Sequence, residues 1–475
     1  MTRELWQWTA VETAAAVRDG LVSAREVVDA TLARVEHVNP VVNALAVVLD
    51  EEARAAADAA DARRRRGEQL GPLHGVPITT KINSDQAGTA TTDGVARFSE
   101  QIPQLDAPQI ENLRAAGAVV IGRSNVPAFS VRWFTDNDLH GRTLNPWNPS
   151  HTPGGSSGGA AVAVSTGMGS LAQGNDYGGS IRYPAGACGV VGLRPTPGRV
   201  PHWIGPADGD PTLGAQLMSV DGPLARTVSD AWLGLQALAA PNPRDPFYVP
   251  VPLEGHQAVP RRIGVLREIG VVQLDHAVDR TLTATAAHLA NAGYEIEEVE
   301  LPFFEEAWRL WWLLTWGMEF YDLRPLIERH GDDAIRAAAA NHYAFIDTLH
   351  DDFSLEAYQR GYARRSSLMR RLQNFMQDYA AILMPVSASS TFENDADTKD
   401  AARAGEVFQA QWPLKPAAFL GFPALSVPGA VVDGLPIGVQ ILTRRFREDV
   451  LIDIGRIVEA NNGVQTPVNP AGTTR

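Results

Sequence analysis

The sequence predicts an α/β fold in which helices cover both faces of a large mixed β-sheet. Three observations carry this. Segments of helical periodicity and short apolar runs intermingle along the chain, without the strict alternation of a purely parallel design. Hydrophobic residues make up 45% and charged residues 20% of the 475 residues, which leaves ample core. At roughly 100–200 residues per domain, such a length allows two to four domains or one large α/β unit.

The elements follow in order. Thr9 with Glu12, and Ser23 with Glu26, are two capping boxes, each opening an apolar-periodic helix. Arg63 to Arg66 close an Ala-rich helical stretch before Gly67, where the helix dipole favours cations. Val76 to Lys81 reads as a short strand, and Ala118 to Ile121 as a buried strand after a helix ending at Gly117. Asn145 to Gly205 is crowded with Gly, Pro, Ser and Thr, yet small apolar residues (Ala160 to Val164) run through it. It reads as backbone packed around a site, not as a linker. Pro206 to Val259 is rich in Pro and Gly apart from a helix opened by Thr227 and Asp230. A strand (Ile263 to Leu266), a helix ending near Gly293 and a strand (Tyr294 to Leu301) come next. Residues 304–379 form a helical, Trp-rich segment with Trp308, Trp311, Trp312 and Trp316 mostly on one face. Core packing is the first reading of that cluster, and an aromatic wall over a substrate cleft the second. Ala381 to Met384, Ala424 to Val427 and Ile437 to Leu442 are strand-like, with Asp433-Gly434 a hairpin turn between the last two.

Several function classes are excluded. The net charge of −14 argues against a nucleic-acid or anionic-membrane surface. No apolar run reaches the ~18–20 residues of a membrane span. Met1 to Thr9 is polar and lacks a signal-peptide pattern, so a cytoplasmic enzyme is expected. Cys188 is the sole cysteine, which rules out an intrachain disulfide and a multi-cysteine metal site. Zinc-protease, P-loop and Rossmann signatures are missing, and His74 and His140 read as structural loop histidines. Gly154 to Gly158 formally satisfies G-x-S-x-G. Pro146, Pro149 and Pro153 deny it the preceding strand that a nucleophile elbow needs.

The chemistry lies in two Gly/Ser clusters and one lysine. Of 41 basic residues only three are lysine: Lys81, Lys399 and Lys415. Arginine keeps its proton at physiological pH and lysine can lose it, so any chemistry that needs a neutral lysine has three candidates. Lys399 and Lys415 sit in polar C-terminal segments with no serine cluster adjoining, whereas Lys81 ends a strand 75 residues before Ser156, which itself precedes Ser180 by 24. Gly178-Gly179-Ser180 can aim successive backbone N–H groups at one spot, a nest suited to an oxyanion.

These stretches resemble the amidase signature family over nearly the whole chain. The matching motifs are Gly75 to Lys81, Ala87-Gly88-Thr89, Asn145-Pro146-Trp147, Pro153 to Thr196, Gly421 to Val427 and Gly434 to Gln440. The resemblance implies one α/β/α sandwich domain over residues 1–461, followed by a tail over 462–475. It implies an amidohydrolase with Ser180 as nucleophile, Ser156 as a bridge after a cis peptide, and Lys81 as base. Desolvation would hold that lysine neutral. The amides of Tyr177, Gly178, Gly179 and Ser180 would form the oxyanion hole. Asp176, Arg182 and Ser157 would brace it, with Asp176 and Arg182 as an ion pair. Phe129, Ser130, Trp133 and Tyr177 would touch substrate. Neither metal nor cofactor is implied, and the partner is a small amide, carbamate or ester, met by a monomer or homodimer. The aromatics favour aryl or bulky amides. The alternatives are carbamate and aryl-ester hydrolysis on the same triad, and membership of an amidotransferase complex that works on charged tRNA. Two departures stand out: Ile82 replaces a common acid after the lysine, and Asn175 and Tyr177 replace other residues beside the double glycine.

Overall fold

A computed structural model describes residues 3–203, 210–255 and 258–471. Met1 and Thr2, residues 204–205 at the end of the Asn145 to Gly205 segment, 206–209 and 256–257 of the Pro/Gly-rich stretch, and 472–475 of the expected tail lie outside the described residues.

Among the described residues, eleven strands form one mixed sheet. In chain order they are β1 Leu45–Val48, β2 Pro77–Lys81, β3 Val119–Ser124, β4 Leu171–Asp176, β5 Val191–Arg194 and β6 Val220–Ala225. β7 Arg262–Val265, β8 Glu295–Glu298, β9 Ala381–Pro385, β10 Ala424–Val432 and β11 Leu435–Leu442 complete the set. Across the sheet the order is β1-β3-β2-β4-β6-β5-β10-β11-β9-β7-β8. β2 runs parallel to β3 and β4, and β7 runs parallel to β8 and β9. The central strands from β4 to β11 pair antiparallel. The α/β class with a mixed sheet between helices is therefore as the sequence predicts.

Local signals place the elements. Thr9 and Ser23 each accept from the backbone N–H three residues on, and Glu12 and Glu26 answer with the reciprocal bonds. Thr227 caps its helix from Asp230 in the same way. The Asp433-Gly434 turn joins β10 to β11, both residues at positive φ. β1 and β8 sharpen the sequence picture. β1 lies between the second capped helix and the Ala-rich helix, where no strand was expected, and β8 covers only half of the strand expected from Tyr294 to Leu301.

The small-residue segment becomes the Gly158–Ser165 helix, buried at every position. A helix apolar all round can sit only inside the molecule. The helix packs on β2 and β4, and at Gly159 it comes so near the backbone of Asn125 and Ala44 that a Cβ would lie 2.4 Å from Asn125 N. The 304–379 region is helical but broken: Phe303–Trp312, a π-helical stretch Leu313–Met318, then Leu323–His330, Asp333–Leu349 and Leu355–Phe375. These helices enclose an aromatic core with Trp308, Trp312, Phe408 and Trp412, while the core beneath the sheet is mainly Ala, Val, Leu and Ile.

Candidate active site

Because β2 and β4 are parallel neighbours, their C-terminal ends meet at one edge of the sheet, where α/β proteins commonly bind ligands. Lys81 ends β2, and Asn175 and Asp176 end β4. The Lys81 side chain is fully buried. Its Nζ lies 2.7 Å from Ser156 Oγ and donates to Asn175 Oδ1 at 2.6 Å. Ser156 follows a cis peptide from Gly155 and precedes the Gly158–Ser165 helix. Ser180 lies on the loop from β4 to the Arg182–Cys188 helix. Ser180 lines a cavity of about 340 Å³ together with Ser156, Asn175 and Tyr177. Lys81, Ser156 and Ser180, which the sequence singled out across a hundred residues, therefore converge.

The loop after β4 is held tightly. Asp176 accepts from Gly179 N at 2.9 Å, Ile181 N at 3.3 Å, Arg182 Nε at 2.9 Å and Arg194 Nη1 at 3.2 Å. Burial alone would raise the Asp176 carboxyl. The two guanidiniums outweigh it and hold the group well below the usual carboxylate range. The expected Asp176–Arg182 pair is thus present, with Arg194 as a second arm. Ser157 donates its backbone N–H to Ser180 O at 3.2 Å. Among the described residues no protein group accepts from the amides of Gly178 or Ser180, whereas the Gly179 amide is committed to Asp176. Gly179 has φ +120°, open to glycine alone. A Cβ on Gly178 would lie 2.5 Å from the Trp311 ring.

Known proteins are similar to this chain in sequence and fold. The amidase family profile matches residues 26–452. An indoleacetamide hydrolase of Bradyrhizobium diazoefficiens is 42% identical over 466 residues, covering 97% of this chain and 87% of the relative. A glutamyl-tRNA(Gln) amidotransferase component from a Synechococcus species is 32% identical, covering 93% and 94%. The chain belongs to the amidase signature family. It is an amide-cleaving hydrolase. Among solved structures, a bacterial aryl acylamidase of the family superposes with TM-score 0.83 at 26% identity, covering 99% of each chain. A substrate complex of 6-aminohexanoate cyclic dimer hydrolase gives TM-score 0.83 at 27% identity, again covering 99% of each.

In this amidase, burial pulls Lys81 from 10.5 down to about 7, against the opposing pull of Asp93, Asp221 and Asp176. A hydrogen-bond chain leads away from it. Asn175 Nδ2 donates to Asn83 Oδ1 at 2.9 Å, Asn83 Nδ2 donates to Ser130 Oγ at 3.0 Å, and Ser130 donates to Asp93 at 2.5 Å. Asn83 and Asp93 went unnoticed in the sequence. Asn175 was visible there only as a departure from the family pattern.

A second, smaller lobe of about 50 Å³ shares Ser180 with the cavity and is walled by Trp133, Trp311, Trp312, Trp316 and Lys415. Phe129 lines the larger lobe, while Ser130 and Tyr177 line both. The four tryptophans of the 304–379 segment divide: three reach this lobe, and Trp308 packs on Phe345 in the core. Lys415 corrects the sequence reading. It is not in a polar segment remote from the serines; it is fully buried, with Nζ 2.9 Å from Gly178 O. A lone lysine in the otherwise apolar run from Trp412 to Leu420 was the available signal.

No helix among the described residues is long and apolar enough to cross a membrane, and no cluster of candidate metal ligands occurs among them.

Proposed function

We propose that the protein hydrolyses amides of aryl and arylalkyl carboxylic acids through an ester on Ser180. The observation that carries this reading is the contact between a fully buried Lys81 and Ser156 Oγ in the cavity that also holds Ser180. An amine with its value near 7 is substantially neutral at physiological pH and can accept a proton. The Asn175 carbonyl takes one N–H of the amine, which leaves its lone pair for Ser156.

The steps follow from the groups present. Ser180 Oγ attacks the amide carbon as its proton passes to Ser156, whose own proton moves to Lys81. The loop amides stabilise the oxyanion. Collapse breaks the C–N bond, and the proton returns by the same route to the leaving amine. Water then attacks the ester as its proton passes through Ser156 to Lys81, and that proton returns to Ser180 Oγ as the C–O bond breaks, releasing the acid and restoring the serine. The larger lobe, with Phe98, Phe129, Tyr177, Trp203 and Phe320 in its wall, suits an aromatic acyl group. The 42% identity to an indoleacetamide hydrolase supports an arylacetamide.

The test is release of ammonia from indole-3-acetamide by the purified chain, beside an anilide, an aryl carbamate and an aryl ester. Rapid turnover of the arylacetamide, with a fluorophosphonate probe that labels Ser180 and fails on Ser180→Ala, is the expected result. Faster cleavage of the carbamate or ester would move the assignment to those substrates on the same serine. Turnover only with a partner chain and charged tRNA would replace it with amidotransfer. An active Ser180→Ala enzyme would remove the mechanism.

A further inference from the structure

In the loop between β4 and the Arg182–Cys188 helix, the four carbonyls from Tyr177 to Ser180 each have a named donor. Gly179 O accepts from Tyr183 N at 2.9 Å, and Ser180 O from Ser157 N at 3.2 Å. Those two are backbone bonds that no substitution removes. The other two come from side chains on separate helices. Trp311 Nε1, on the Phe303–Trp312 helix, donates to Tyr177 O at 3.2 Å. Lys415 Nζ, on the Leu414–Leu420 helix, donates to Gly178 O at 2.9 Å.

A trans peptide points its C=O and its N–H in opposite directions. Anchoring Tyr177 O on Trp311 therefore turns the Gly178 N–H away from that helix. Anchoring Gly178 O on Lys415 turns the Gly179 N–H to the opposite side, and it is found there on Asp176 Oδ1 at 2.9 Å. The two planes share the Gly178 Cα, so both anchors together fix the Gly178 amide, which no protein group occupies among the described residues.

Lys415 is an expensive choice for a plain structural donor. It is fully buried, and among the described residues it forms no ion pair. Its Nζ instead lies over the rings of Trp133 at 3.8 Å and Trp311 at 3.9 Å, contacts that favour a cation or a partly positive N–H. Trp311 thus holds one carbonyl itself and steadies the lysine that holds the next. Leu414, one residue earlier, blocks any side chain at Gly179, where a Cβ would lie 2.4 Å from its Cδ1.

We infer that Lys415 and Trp311 are positioning residues that aim the Gly178 amide of the oxyanion loop, acting through the Gly178 and Tyr177 carbonyls and not on substrate. This rests on the Ser180 acyl-enzyme reading above.

The test compares Lys415→Met and Trp311→Phe with the wild type, after melting curves confirm folding. The probe is an arylboronic acid, which forms a tetrahedral adduct on a nucleophilic serine and sets a hydroxyl in the oxyanion position. Each variant should weaken boronate inhibition and lower kcat by about 10–100-fold, somewhat less than outright loss of an oxyanion donor. KM and inhibition by the planar carboxylate product should stay within about twofold. Trp311→Phe removes the N–H with part of the ring system and keeps a phenyl ring at that position, so it decides the matter, read beside Trp308→Phe as the ring-loss control, if Lys415→Met does not fold. Boronate affinity and kcat within about twofold of wild type would overturn the proposal. So would equal weakening of boronate and product, the mark of a collapsed pocket. If the boronate forms no adduct on wild-type Ser180, the acyl-enzyme reading falls too; if it forms one that ignores Trp311→Phe, this inference falls alone.

Discussion

Lys81 meets Asn175 at the end of β4, and Lys415 meets the Gly178 carbonyl just beyond it. Both are fully buried, and among the described residues neither has a carboxylate within ion-pair distance. Burial pulls both below the ordinary lysine value, Lys81 to about 7 and Lys415 well down as well. Their neighbours make the difference. Lys81 faces the Ser156 hydroxyl, a group that can both give and take a proton. Lys415 faces a carbonyl and aromatic rings, which can receive an N–H and have no proton to offer. Low polarity makes a lysine a possible base. A partner with an exchangeable proton makes it a useful one.

The sharpest break in the comparison comes from Lys81. Lys81→Met removes the proton acceptor from the relay, and kcat should fall by about 10³–10⁴-fold with the fold retained, as for loss of a general base. Lys81→Arg should be equally inactive, because a guanidinium does not become neutral at working pH. Steady-state rates on an arylacetamide check both. A Lys81→Arg enzyme near wild-type turnover would show that charge is what this position supplies, not basicity, and the two lysines would no longer differ in kind.

How much of this was legible in the sequence depends on which forces set each position. Lys81, Ser156 and Ser180 were readable because each stands in a motif that resembles the amidase signature, and the local chemistry agrees with it: a strand end, a small-residue helix entry, a double-glycine turn. Asp176 and Arg182 were readable because they are six residues apart on the same loop. Arg194 was not, although it too reaches Asp176, since strand pairing and not sequence proximity brings β5 there. Asn175 illustrates a third case. The sequence shows it as a departure from a pattern, and only the parallel pairing of β2 and β4 reveals that it meets the lysine. Lys415 was misread because its neighbours in sequence are not its neighbours in space: the tryptophans around it come from residues 133 and 311.

A medium-sized effect tests the electrostatics of the Lys81 side. Protonated Lys81 cannot act as base, so kcat/KM should climb about tenfold per pH unit below about 7 and level off above it. The charged groups that bear on it are Asp93, Asp221 and Asp176, all favouring the ammonium form against burial. Asn175→Asp would add a carboxylate in contact with Nζ, stabilise the ammonium further and move the rising limb to higher pH by about one unit or more. The pH–rate profile of that variant reads the shift directly. An unmoved limb would mean that another group controls the rise.

The smallest expected effect separates two tryptophans three residues apart on one helix. Trp311 donates its indole N–H to the Tyr177 carbonyl. Trp308, one turn earlier, is equally buried, packs edge-on against Phe345 with ring centres 6.0 Å apart, and has no hydrogen-bond partner for its N–H. Trp308→Phe therefore removes no bond and loses only part of a ring. Stability should fall by about 1–2 kcal/mol, the lower part of the range for large-to-small core changes, readable as a drop in denaturant midpoint. Both kcat and KM should remain at wild-type values. Trp311→Phe makes the same chemical change one turn on, yet should act on kcat. If Trp308→Phe lowered kcat as much, the helix would be transmitting strain as a unit, and the specific bond from Trp311 to the loop would lose its claim to the effect.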